Sequence, residues 1–233
     1  MRPRASILAA ALALLGLPLA AQTSAPDGVQ ASTATGRAMG SKKDRVLWVF
    51  PNYRTVDEER SLPSISSKYK LTIATRDSFD PYAFPIAGFF AGIDQAEDKD
   101  AVWGRGASGY GKRYFAAFTD QTVSNMMSEA AFPILLHQDP RYFRLGRGGF
   151  WHRAGYAASR VFVTRTDDGE AQFNYSEFGG NAVMAAAGNL YYPADDRTFG
   201  TTATRFGVQI AFDLVADVSK EFWPDVREWL VGR

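Results

Sequence analysis

The stretch Lys112–Gln138, KRYFAAFTDQTVSNMMSEAAFPILLHQ, decides the fold class. Its positions Phe115, Phe118, Thr122, Met126, Ala130 and Ile134 recur at three- and four-residue steps, which puts them on one side of a helix about 112–138. A two-residue alternation, the mark of a half-buried strand, is missing. Pro133 lacks an amide donor and is expected to kink the rod. Upstream, Gly104, Gly106, Gly109 and Gly111 read as a flexible approach to the helix, because the stretch lacks Walker spacing and follows no strand. Downstream, Asp139-Pro140 reads as a helix N-cap with a first-turn proline, so the chain is expected to turn and restart there.

Working outward, the same periodicity predicts helices over Ile86–Ala96, Trp151–Thr164, Tyr175–Tyr191 and Thr198–Phe222, with a separate short piece Pro224–Leu230. Asp167-Asp168-Gly169 and Pro193-Ala194-Asp195-Asp196 supply the breaks. Val46–Phe50 is an apolar run closed by Pro51 and suits a short extended segment. Residues 54–70 are polar and read as a surface loop, and Lys70–Thr75 as a second short strand. The expected architecture is mainly all-α, a compact bundle of about five helices after a short extended N-terminal segment. Its packing faces are rich in small residues: Gly155, Ala158 and Ser159; Gly179, Gly180, Ala182, Ala185, Ala186 and Gly188; Gly207 and Ala211. Such faces suit close helix approach in a soluble bundle or a membrane one, and charges recur too often for any segment after the leader to read as a span.

The N-terminus reads as a secretory signal. Arg2 and Arg4 precede the apolar run Ile7–Leu17, and Pro18, Ala20 and Ala21 form a small-residue exit. Residues 1–21 are expected to be removed, with cleavage as late as Ala25. Residues 22–43, rich in Ala, Ser, Thr and Gly, read as a disordered leader, and 44–233 as one helical domain. The expected location is exported: periplasm or outer cell envelope, with membrane association through aromatic side chains such as Trp151, Tyr191, Tyr192, Trp223 and Trp229. Without Arg2 and Arg4 the chain carries 24 basic against 25 acidic residues, a charge near −1 that excludes a nucleic-acid footprint. No nucleotide partner is expected of an exported chain. The absence of cysteine rules out disulfides and thiolate chemistry.

Four blocks, Arg45–Val56 (RVLWVFPNYRTV), Gln138–Phe143 (QDPRYF), Phe173–Asn181 (FNYSEFGGN) and Glu221–Asp225 (EFWPD), resemble a family of exported bacterial proteins with no assigned activity. The resemblance covers most of the chain after the leader. It implies export and a single domain and transfers no catalytic residue.

Chemistry is sought first in the last long helix, where Arg205, Gln209, Asp213, Asp217 and Glu221 follow one another by four. Each step turns about 40° around an α-helix, so Asp213 and Asp217 stack while Arg205 and Glu221 face different sites. Asp213 and Asp217 suit an acid/base pair or a cation site; the alternative is a solvated stripe in which Lys220 balances Asp217. His137 and His152 are the only imidazoles, and His137 is the candidate general base, although no His-Glu-x-x-His or comparable metal-ligand spacing exists. Glu129, Glu177, Asn181 and Asn189 sit among small apolar residues, so a network linking Glu177 or Asn181 to Asp213 is expected. There is no Gly-x-Ser-x-Gly elbow and no Ser-x-x-Lys motif. The candidate catalytic set is therefore His137, Glu177, Asp213 and Asp217, with no cofactor and no metal implied. Two functions compete: a non-enzymatic envelope protein that binds a membrane surface or a protein partner, and an exported hydrolase acting on lipid or cell-wall material. Oligomeric state is left open.

Overall fold

Pro133 shapes the central rod. In the computed structural model, which describes residues 45–48, 50–57 and 63–232, helix α3 (Ala107–Asn125) passes into a π turn over Met126–Ala131 and then into α4 (Phe132–Leu136). The proline has no N–H to give to its own helix, and the turn before it widens so that Phe132 N donates to Met127 O instead. The residues expected to form the secretory signal and the Gln22–Lys43 leader lie outside the described residues.

The domain is mainly helical, as its periodicity predicts. Around the rod lie α1 (Ser67–Ser78), α2 (Ala83–Ala96), α5 (Phe150–Arg160), α6 (Tyr175–Ala187) and α7 (Phe199–Val231). Helix α2 packs on α3, α6 on the π turn and on α7, and α5 on α7. Many contact residues are alanine: Ala87 and Ala91 of α2, Ala116 of α3, Ala157 of α5 and Ala185 of α6 are buried. The closest approach falls at α6, where a side chain on Gly180 would come within 2.6 Å of Ser128 N and one on Gly179 within 2.8 Å of the Phe132 ring. Gly155 and Gly207 meet nothing within 4 Å. The small-residue contact face thus belongs to α6, and those two glycines correct the wider expectation.

Three small sheets complete the fold. Strands β1 (Arg45–Val46) and β2 (Phe50–Pro51) form an antiparallel pair, and β3 (Thr55–Asp57) runs parallel to β5 (Tyr142–Arg144), pairing Thr55 with Tyr142. Strands β4 (Gln138–Asp139), β6 (Val163–Thr166) and β7 (Ala171–Phe173) make an antiparallel sheet in the order β4-β6-β7.

Several local expectations are overturned. Lys70–Thr75 is not a strand, and 54–70 is not a continuous loop: β3 occupies part of it, and α1 starts at the Ser66 cap, whose Oγ accepts from Tyr69 N at 3.3 Å. The buried residues of α1 are Lys70, Ile73, Ala74, Asp77 and Ser78, a helical spacing hidden from a hydrophobicity count because three of them are polar or charged. Asp139 caps no helix. It sits in β4, and its carboxylate accepts from Arg141 N at 2.9 Å and from the Arg141 guanidinium at 2.6 Å. Pro224 does not begin a separate piece; α7 continues through it to Val231 and ends at Gly232 (φ 73°), whose N–H reaches Glu228 O at 3.1 Å. One turn before, the Arg153 guanidinium donates to the Glu221 carbonyl at 2.6 Å, supplying a donor where the helix is interrupted. The glycine-rich approach to α3 is clamped rather than flexible. Buried Arg113 donates to Lys99 O (2.8 Å), Gln95 Oε1 (2.6 Å) and Gly104 O (2.7 Å), and Gly109 lies so near Gly104 O that no side chain fits.

Candidate functional site

The interior between the π turn, α1, α6 and α7 is polar, and the fold assembles it from distant parts of the chain. The π turn directs Glu129 inward, where Oε1 stands 3.0 Å from Arg54 Nη1. Asp77 of α1 lies beside the same Glu129 carboxyl. Asp77 Oδ1 and Glu129 Oε2 are buried and find no donor among the described residues, a setting that favours the protonated form of these acids. Desolvation, reinforced by Asp77 and opposed by Arg54, pushes the Glu129 carboxyl up to about 8. Asp77 is raised too, with burial the largest cause.

A second acid pair lies one helix away. Ser124 Oγ donates to Asn181 Oδ1 at 2.5 Å, and Asn181 Nδ2 donates both to Glu177 Oε1 at 2.8 Å and to Asp213 Oδ2 at 3.0 Å. Gln209 Nε2 adds a bond to Asp213 Oδ1 at 3.2 Å. Desolvation and the neighbouring Glu177 carboxylate hold Asp213 well above the usual carboxylate range. The network expected between α6 and the last helix therefore exists. Glu177 is placed by its own helix start, since its N–H donates to the Asn174 cap at 3.1 Å.

Of the four candidate catalytic residues, the fold brings Glu177, Asp213 and Asp217 to one small cavity and leaves His137 outside it. Asp217 turns to Lys220, at 3.0 Å, rather than joining Asp213 on a shared cation. His137 closes α4 in the left-handed region (φ 54°), with its side chain 82% exposed and Nδ1 3.9 Å from Asp167. His152 is exposed as well. The stripe of α7 is not a solvated face: Lys220 and Glu221 are buried, and Arg205 lies over the Tyr192 ring at 3.7 Å, away from Glu221 as its rotation requires. Among the described residues no group of three or more His, Asp or Glu side chains is placed to hold a metal ion.

The cavity measures about 40 Å³ and is bordered by Arg54, Ser128, Asp139, Arg160, Arg165 and Asn174 besides the three acids. That volume admits a water or two, whereas sites for small molecules run from roughly 300 Å³ upward. The space therefore suits a hydrated pair of acids rather than a bound small molecule.

The sequence reading missed a fully buried, heavily bonded acid. Glu221, at 0% exposure, accepts from Tyr142 Oη (2.9 Å), Leu145 N (3.0 Å), Gly146 N (2.8 Å) and Arg153 Nε (2.9 Å). Burial and the nearby Glu221 raise the Tyr142 phenol. A further buried anchor, Asp80, receives Arg45 at 2.8 and 2.9 Å and Tyr53 Oη at 2.5 Å, and these donors hold its carboxyl below the usual range despite desolvation. A signal was present: Arg45, Tyr53, Arg54, Asp139, Arg141, Tyr142, Glu177, Asn181 and Glu221 all come from the four quoted blocks.

Comparison with known proteins returns no match: no family model, no curated protein and no solved structure corresponds to this chain.

Proposed function

We propose that this chain is an exported, non-enzymatic helical protein of the bacterial cell envelope, of the family its four blocks resemble, and that it attaches to a membrane surface through an aromatic end of the domain. The observation that carries this reading is where the tryptophans lie. Trp48 packs edge-on against Trp223 at 4.9 Å, Phe150 lies 4.9 Å from Phe222 and 5.1 Å from Trp151, and Trp229 follows less than two turns along α7. Four of the five tryptophans fall in this set. Trp151 is 84% exposed, Trp229 57% and Trp48 53%. Rings with an apolar body and one N–H donor partition to headgroup depth, where both halves are satisfied. Trp48 is held at a positive φ of 59°, costly for a bulky residue, and its packing on Trp223 fixes it there. Among the described residues no helix is long and apolar enough to cross a membrane, so the contact proposed is interfacial.

The hydrolase reading is less well supported. Its acids border a space too small for lipid or glycan, Asp217 is neutralised by Lys220, and His137 faces solvent.

The test is flotation of the full chain with phosphatidylethanolamine/phosphatidylglycerol vesicles, read together with quenching of tryptophan fluorescence by bromine-labelled acyl chains. The expected result is co-flotation and quenching. In the Trp151→Ser/Trp229→Ser variant, loss of two rings that each bring about 2 kcal/mol at partial immersion removes binding by two to three orders of magnitude. Protein that stays in the dense fraction as an unquenched monomer overturns the proposal.

A further inference from the structure

A groove of about 400 Å³ lies apart from both the acid interior and the tryptophan end, lined by Trp103, Ser108, Gly111, Lys112, Phe115 and Tyr191 over buried Ala116. It lies in the size range of ligand sites. Its α3 residues, Ser108, Gly111, Lys112, Phe115 and Ala116, share the spacing of one helical face, so it is elongated, following α3 for about 12 Å. Its walls are fixed. Trp103 stacks on Tyr192 at 5.4 Å, and Tyr191 and Tyr192 both donate to the Asp120 carboxylate, the latter at 2.7 Å. The helix carries no side chain at Gly111, where an added Cβ would meet nothing within 4 Å, while Phe115 is 61% exposed. Lys112 is exposed at the rim and has no carboxylate partner among the described residues.

We infer that this groove binds a single alkyl chain ending in a carboxylate, a free fatty acid, with the chain along α3 and the headgroup on Lys112. The long apolar trough favours a chain over a compact ring, and a lone ammonium at its rim matches one anion. Removing the aromatic walls from water supplies affinity; Lys112 selects the end group.

The experiment is calorimetric titration of the full chain with decanoate and dodecanoate below their micelle concentrations and with dodecanol below its solubility limit. Saturable one-to-one binding is expected, strengthening about fourfold per added methylene. Gly111→Leu fills the trough from a site with free space and favours the helix, so it is expected to weaken dodecanoate at least tenfold with a melting temperature no lower than wild type. Lys112→Gln is expected to weaken dodecanoate several-fold and leave dodecanol unaffected. Vesicle flotation of Gly111→Leu should match wild type, which separates this site from the membrane contact proposed above. Absent or non-saturable binding, equal binding by Gly111→Leu, or equal loss of acid and alcohol in Lys112→Gln each overturns the inference.

Discussion

Replacing Glu221 with alanine removes the acceptor at which β5, α5 and α7 meet. Four donors reach its carboxylate: Tyr142 Oη at 2.9 Å, Leu145 N at 3.0 Å, Gly146 N at 2.8 Å and Arg153 Nε at 2.9 Å. In the variant, Arg153, 5% exposed, keeps Asp225 at 2.6 Å, but the two backbone amides lose their acceptor and the Tyr142 hydroxyl loses its own. Breaking a buried ion pair by deleting one partner costs about 3–5 kcal/mol, and orphaned donors fall within that figure rather than adding fully to it. Against a total stability of about 5–15 kcal/mol the loss is severe. For a domain of this size each kcal/mol moves the melting temperature by about 2–4 °C, so a fall of about 6–20 °C is expected. The assay is thermal unfolding by far-UV circular dichroism, run beside Glu221→Gln and the double variant Arg153→Met/Glu221→Leu. The glutamine, with one amide nitrogen facing donors, should fall between wild type and alanine. The double variant should recover little, since Leu145 N, Gly146 N and the Tyr142 hydroxyl would still face an apolar side chain and Asp225 would lose Arg153 as well. A fall of less than about 3 °C for alanine, or wild-type stability in the double variant, would refute the view that this buried carboxylate organises the end of the domain.

The remaining expectations follow from the acid interior and the glycine contacts. Glu129 has its folded-state pKa raised from 4.5 to about 8, so its stabilising contribution is complete below about 4.5 and is lost as pH rises through about 8. Melting temperature should therefore decline between pH 5 and 8, and Glu129→Gln, which keeps a donor towards Asp77, should flatten that decline; an unchanged slope would rule out a proton retained on Glu129. Gly180→Ala drives a methyl to within 2.6 Å of the Ser128 backbone and should cost about 1–3 kcal/mol, whereas Gly155→Ala, with nothing within 4 Å, should raise stability by about 0.4–1 kcal/mol. Equal responses in chemical denaturation would contradict the close packing of α6 on the π turn.

How much of the site was legible can be judged at α6 and α7. The Glu177–Asn181–Asp213 network follows from local facts: positions 177 and 181 are one turn apart on a predicted helix, and polar groups among small residues need partners. Glu221 gave no such cue. Read along its helix it is one more charge in a stripe, and only the return of β5 and α5 to α7, 68 to 79 residues away in sequence, closes it off from water. Arg54 and Glu129 likewise meet across the chain.

The sequence by itself determined what depends on neighbours within a turn or two: helical class, the principal rods, their breaks at Asp167–Gly169 and Pro193–Asp196, and a flexible choice of small residues on α6. Tertiary structure decided which charges are interior, that Lys70–Thr75 lies in a helix that buries Lys70, Ile73 and Ala74, that Asp139 binds Arg141 instead of capping, and that α7 runs on through Pro224. The physical reason is range. Hydrogen bonds and side-chain periodicity within a helix are short-range and written in adjacent letters, while desolvation and ion pairing depend on which distant segment arrives to exclude water.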